Sequence, residues 1–167
     1  MVVHKKKYIS GDLLKFKSDP LVIKAINLLM CHGKRSKAEK ILFQTFQALD
    51  KDYPGQSFRI FYSAVMASKQ DIAVRLKPNP KKRRRKQSYN VYLPRLITPM
   101  CGLSLGIRSL IKASRERSQS SFSPLWESLS QELFQASQNK GGVVAERYRV
   151  NKLAISNKRR VHFATRR

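Results

Sequence analysis

Hydrophobic positions recur with a helical period over most of this chain and switch to strict alternation in one place. After a basic arm, residues 1–18, the pair Asp19-Pro20 has the form of an N-cap followed by a first helical residue. An aspartate oxygen satisfies an orphan amide there, and proline has no amide to satisfy. LVIKAINLLMCHG then predicts a helix that stops at Gly33, read as its C′ glycine. A second helix follows at once in GKRSKAEKILFQTFQAL, with Ser36 and Glu39 at capping-box spacing. Ile41, Leu42, Phe46 and Leu49 fall on one face of it, with Lys40, Gln44 and Gln47 elsewhere. YPG at Tyr53 to Gly55 breaks the pattern. SFRIFYSAVMAS predicts a third, shorter helix burying Phe58, Phe61, Ala64 and Val65.

In DIAVRLK the period changes to two: Ile72, Val74 and Leu76 alternate with Ala73, Arg75 and Lys77, as in a half-buried strand. SYNVYL alternates as well, with Tyr89, Val91 and Leu93 on one side. Between them lie Pro78, Asn79 and Pro80 and then six consecutive basic residues, Lys81, Lys82, Arg83, Arg84, Arg85 and Lys86. The natural reading is a β-ribbon over residues 71–94 with a charged tip. Thr98-Pro99 opens a fourth helix with Leu103, Ile107, Leu110, Ile111 and Ser114 inward. Arg108, Lys112 and Arg115 recur on its outer face as a basic stripe. Ser123-Pro124 starts a fifth helix with Leu125, Trp126, Leu129 and Leu133 inward, and Phe122 is read as core too. It ends at Gly141-Gly142, and VVAERYRVNKLAISNKRRVHFATRR predicts a last helix with a basic terminus. The expected fold is mainly α: one bundle-like helical domain, residues 19–163, with a protruding two-stranded β-ribbon, a basic N-terminal arm and a basic tail at 164–167.

Charge changes the picture more than hydropathy does. The chain carries Lys+Arg 35 against Asp+Glu 10, a net charge of +25, while 41% hydrophobic content is ordinary for a folded domain. Such an excess repels itself unless a polyanion is at hand. The apolar runs are too short for a transmembrane helix. The N-terminus lacks the apolar core of a secretory signal, and with no Arg and few hydroxyls before Asp12 it does not read as a transit peptide. Cys31 and Cys101 read as reduced, core-lining thiols and point to a reducing compartment.

No catalytic constellation emerges. His4, His32 and His162 are scattered, and the carboxylates are single and dispersed. KGGVV reads as a helix break, so neither a cofactor, a metal nor a small-molecule substrate is expected. The positive signal is electrostatic, because each Lys or Arg that meets a phosphate releases a counterion. Basic groups sit on the arm, at Lys34, Arg35 and Lys37, on the ribbon, along the Arg108 stripe, at Arg147, Arg149 and Lys152, and at Lys158, Arg159 and Arg160. That spread over arm, turns, ribbon, helix face and tail is what embedding in folded RNA demands. Tyr89 and Tyr92, on opposite faces of the second strand, are candidates to stack on a base or sugar. A membrane partner is disfavoured, since the densest charge lies at a hairpin tip and not opposite an apolar helix face.

Several stretches, taken in order, resemble the bacterial-type small-subunit ribosomal protein seven family. GKRSKAEKILFQTF, Gly33 to Phe46, is similar to its Gly-Lys-Lys/Arg turn and second helix. Tyr89, Val91 and Pro94 match the end of its ribbon, and LSLGIRSLIKASRER stands in place of its Leu-Ala-Leu-Arg-Trp-Leu helix. GGVVAERYRVNKLAISNKRRVHF resembles its Gly-Gly helix and its Ala-x-x-Asn-Arg-x-x-x-His-aromatic ending. The resemblance covers Asp19 to Phe163 and implies a six-helix fold with a β-ribbon. It implies binding to the 3′ major, or head, domain of small-subunit rRNA early in head assembly, beside neighbouring ribosomal proteins. The mRNA exit path and exit-site tRNA would be close by. By the same resemblance the rRNA contacts would be Lys34, Arg35, Lys37, Arg75, the ribbon basics Lys77, Lys81, Lys82, Arg83, Arg84, Arg85 and Lys86, then Arg108, Arg115, Arg147, Arg149 and Lys152; the charge pattern adds Lys112, Lys158, Arg159 and Arg160 to the expected rRNA-binding set.

The chain departs from the family at the ribbon tip, PKKRRRKQS in place of Arg-Val-Gly-Gly, at Ser109 in place of Trp, and after Phe163, where ATRR lacks a terminal Trp. These departures suggest an organellar member, mitochondrial ahead of plastid, with the bacterial cytoplasm as a further alternative. The closest rival reading is a basic helical DNA-binding protein with a β-arm, which predicts paired subunits. An RNA-processing enzyme would need a clustered acid/base or metal set that the sequence does not supply. The apolar loop SSFSPLW is a place where a neighbouring ribosomal protein could rest.

Overall fold

The computed structural model describes residues 16, 18–77 and 91–163. The N-terminal arm before Phe16, the basic run Lys81–Lys86 with Tyr89, and the tail 164–167 lie outside the described residues. Helix α1, Pro20–Leu29, begins as its sequence dictates: the Leu21 amide donates to Asp19 Oδ1 at 2.9 Å. It ends at Leu29, earlier than Gly33, because Met30 takes an extended conformation (ψ 134°) and closes the helix. Gly33 does adopt the left-handed region (φ 70°), but inside the turn before the next helix and beside His32, also left-handed (φ 53°).

Helix α2 spans Arg35–Asp52 with Lys34 as N-cap and no side-chain cap. The expected capping box does not form, because the helix starts before Ser36 and Glu39 pairs with Arg35 at 2.8 Å instead. Its inward stripe is Ala38, Leu42, Thr45, Phe46 and Leu49. Helix α3, Ser57–Ser68, is capped from outside: the Ser57 amide donates to Asp50 Oδ1 at 3.3 Å. Ile60, Phe61, Ala64 and Val65 point inward from it, with Phe58 partly buried.

Strands β1, Ile72–Lys77, and β2, Val91–Leu96, pair antiparallel, with Val74 opposite Pro94 and Arg75 opposite Leu93. The ladder therefore extends two residues past Pro94. Leu93, opposite Arg75, is buried, whereas on the other face Leu76 is 48% exposed and Leu96, opposite Ile72, is 83% exposed, so the face that carries Ile72, Val74 and Leu76 is only partly covered.

Helix α4, Pro99–Ser121, carries Ile107, Leu110, Ile111 and Ser114 inward. Its glycines Gly102 and Gly106 lie against the backbone of Ser68 to Gln70, which leads from α3 into β1. Helix α5, Leu125–Ser137, starts one residue later than Ser123-Pro124 suggests, with Pro124 itself as the extended N-cap. It is the centre of the bundle, packed against α2, α3 and α4. Helix α6, Gly142–Ser156, follows the Gly141 break and passes into a 3-10 segment, Lys158–Phe163, so the predicted last helix is two elements. Helix α6 packs on β1 and the 3-10 segment on β2, and together they seat the ribbon on the helical body. Leu42, Leu49, Val65, Leu110, Leu133 and Val144 are fully buried in one continuous core. Among the described residues the fold is mainly α, with six helices from Pro20 onward and a two-stranded ribbon.

Four residues expected in the core, Phe122, Trp126, Cys31 and Cys101, are not buried there. Phe122 is 97% exposed, because it ends α4 in the left-handed region (φ 50°) and its side chain leaves the core side of the helix. Trp126 is only half buried, with its backbone carbonyl accepting from Thr45 Oγ1 at 3.3 Å. Cys31 and Cys101 are free but exposed, since one lies in the α1–α2 turn and the other on the outer side of the first turn of α4.

Candidate nucleic-acid interface

The sequence-predicted basic residues that the structure describes fall on two surfaces; Lys81 to Lys86 lie outside the described residues. The first joins the α1–α2 turn to the stripe of α4. Arg115 Nη2 donates to the Leu29 carbonyl and to Cys31 Sγ, both at 3.3 Å, and so ties the end of the stripe to the turn that carries Lys34, Arg35 and Lys37. Lys24 Nζ donates to the Met100 carbonyl at 3.3 Å and fixes the middle of α1 to the start of α4. Lys34, Lys37 and Arg108 are exposed, and their side chains have no ion-pair partner among the described residues. Arg35 is paired with Glu39 and Lys112 with Glu116, the latter at 3.8 Å, both on exposed helix surface. Such pairs contribute about 0–1 kcal/mol and open readily to a phosphate.

The second surface surrounds the base of the ribbon. In the observed register Ala73 faces Arg95, so Arg75 and Arg95 lie diagonally on one ribbon face, and both are exposed. Arg95 is absent from the sequence-predicted set. Its signal is positional and needs the strand to run on to Leu96, beyond where the alternation of SYNVYL ends. Arg149 and Lys152 on α6, and Lys158 and Arg159 on the 3-10 segment, are exposed on the elements that pack against the ribbon. Arg149 is paired with Glu146 at 2.7 Å, and Arg160 Nη1 donates to Asn157 Oδ1 at 3.2 Å. Arg147 is committed inward: its Nη1 donates to the Ala67 carbonyl at 2.8 Å and pins α6 to the end of α3. Tyr92 is half buried on the ribbon, and Lys77 is its last β1 residue.

The two surfaces can do one thing chemically, which is to present many separate cations to a polyanion held at several points. Among the described residues no group of three His, Cys, Asp or Glu side chains could hold a metal ion, and no helix is long and apolar enough to cross a membrane.

Comparison with known proteins gives a consistent answer. Residues 2–158 match the model of the family described as ribosomal protein S7p/S5e. The chain is similar to the small ribosomal subunit protein uS7 of Sulfurihydrogenibium sp., 32% identical over 145 residues, covering 87% of each chain. The uS7 of Vibrio campbellii is 31% identical over 149 residues, 89% of this chain and 88% of the relative. That of Leptospira biflexa is 30% identical over 157 residues, 94% of this chain and 92% of the relative.

Proposed function

We propose, since the chain belongs to the ribosomal protein S7p/S5e family, that it is a structural constituent of the small ribosomal subunit that binds small-subunit rRNA. The observation that carries the rRNA reading is the pair of cationic surfaces on separate elements, one at the α1–α2 turn and α4, the other at the ribbon base. An rRNA fold offers phosphates from several helices at once, whereas a DNA groove calls for one continuous track. The finer reading places the partner in the 3′ major domain of that rRNA, with neighbouring ribosomal proteins, the mRNA exit path and exit-site tRNA nearby. The residues proposed to meet it are those of the two surfaces, together with Lys81 to Lys86 and the stacking candidates Tyr89 and Tyr92. Arg147 acts through the backbone it holds. A mitochondrial setting, ahead of a plastid or bacterial one, is proposed from the departures at the ribbon run and at Ser109.

The test is competition binding at near-physiological salt. Purified protein is offered the small-subunit rRNA head fragment against duplex DNA and scrambled structured RNA of equal length. Preference for the head fragment with a steep salt dependence is the expected result. Equal binding to all three removes the specific rRNA reading and leaves a generic polycation.

A further inference from the structure

One face of the protein departs from its cationic character. The 22 residues from Ser118 to Asn139, which include all of α5, contain no Lys or Arg in a chain that has 35 of them. Between α5 and the second half of α2 runs a groove of about 460 Å³, lined by Gln44, Gln47, Lys51, Asp52, Trp126 and Glu127 among others. Among the described residues the other carboxylates are all engaged. Glu39, Asp71, Glu116, Glu132 and Glu146 pair with cations, and Asp19 and Asp50 accept from helix-start amides. Asp52 and Glu127 have neither kind of partner, and both line this groove. Four residues before Trp126 stands Phe122, 97% exposed at the end of α4.

We infer that this face is a protein-docking surface and that its occupant is an extended, Lys/Arg-bearing segment of another protein. The inference rests on the reading that the chain sits in a small ribosomal subunit. RNA fits the face poorly, because α5 offers phosphate no cation while two unpaired carboxylates repel it. A basic peptide meets those carboxylates directly, and Lys51 is the one cation among the groove residues named here that it must avoid. The half-buried Trp126 ring offers a flat face to an arginine or lysine. The glutamine amides of α2 can donate to and accept from an extended backbone, and Phe122 is a ready apolar anchor at the end of the track. In the free chain Phe122 is 97% exposed and Asp52 sits at the unfavourable C-terminal end of α2; a docked cationic segment with an apolar neighbour relieves both.

The experiment places a photo-crosslinking amino acid at position 122, at Gln131, an exposed residue of α5 that also lines the groove, and, on the basic stripe, at 108, each in assembled small subunits. Products are identified by mass spectrometry and by reverse transcription. Positions 122 and 131 are expected to capture a Lys/Arg-containing peptide of another protein. The double variant Asp52→Lys with Glu127→Lys should lower that yield at least tenfold while its thermal midpoint and the rRNA product at 108 stay unchanged. Capture of rRNA, of a second copy of this chain or of an uncharged peptide at 122 and 131 overturns the inference. So does absence of product there, or a yield indifferent to the double variant. Position 108 separates the two readings: rRNA captured at 108 with 122 and 131 silent sinks the docking surface alone. Silence at 108 with basic peptides at 122 and 131 supports docking and counts against the rRNA surface.

Discussion

Substituting Gly106 by alanine sets two effects of opposite sign against each other. Alanine is the better helix former, by about 1 kcal/mol in an open helix interior. At Gly106, however, an added Cβ would sit 2.8 Å from the Ser68 carbonyl oxygen, 2.9 Å from its carbon and 3.0 Å from the Lys69 nitrogen. Ordinary carbon contacts lie at about 3.5–4.0 Å, and all three neighbours are backbone, which cannot rotate aside. Overpacking of this kind costs about 1–3 kcal/mol, so the clash outweighs the gain in propensity. With three backbone atoms in the way the cost lies toward the upper end, and a net loss of about 2 kcal/mol corresponds to a fall in Tm of about 4–8 °C for a chain of this size. Gly102, whose Cβ would press still harder on the Gln70 carbonyl, should behave alike. Thermal unfolding followed by circular dichroism reads the effect. A Tm equal to or above that of the parent for Gly106→Ala would refute the close approach of α4 to the α3–β1 connection. The salt dependence of RNA binding should not change, because no charge is removed.

Leu133→Ala removes a fully buried side chain from the central helix, and urea unfolding should show a loss of about 2–5 kcal/mol. Arg117 and Glu132 are 31% and 7% exposed and join α4 to α5, while Arg35 and Glu39 are 57% and 43% exposed. A double-mutant cycle should therefore give the first pair a clearly larger coupling than the second, whose value should stay within about 0.5 kcal/mol; equal couplings would contradict the burial assigned to Glu132. Replacing Lys81 to Lys86 by serine should leave the helical circular dichroism unchanged and lower the slope of log binding constant against log salt by up to about 5, at roughly 0.7–0.9 for each phosphate no longer neutralised. An unchanged slope removes that run from the interface.

What was legible in the sequence was local. Asp19-Pro20 announces α1 because cap and proline act within one turn, and the two-residue period of Ile72, Val74 and Leu76 announces a strand whatever lies opposite. The basic stripe of α4 follows from spacing alone. Competition between neighbours was not legible. Glu39 had a serine and an arginine within reach, and the ion pair with Arg35 won over the capping box. Phe122 looked like core by composition, but the left-handed end of α4 turns it outward, and nothing in SSFSPLW marks which residue will occupy that position. Cys31 and Cys101 were misread for a similar reason, since cysteine is usually buried and these two sit at helix boundaries. Arg95 and the inward commitment of Arg147 needed the register and the third dimension. The role of Gly102 and Gly106 in α4 likewise needed the third dimension, since only the fold brings the backbone of Ser68 to Gln70 against them.

The central claim, that this chain is a part of the small ribosomal subunit, is tested most directly by its distribution across a sucrose gradient of lysate from cells that make it. Quantitative mass spectrometry should find it in the small-subunit and whole-ribosome fractions at one copy per small-subunit rRNA, and it should stay there after a moderate salt wash. A chain that remains at the top of the gradient, or co-sediments with DNA and is released by DNase, would contradict the account.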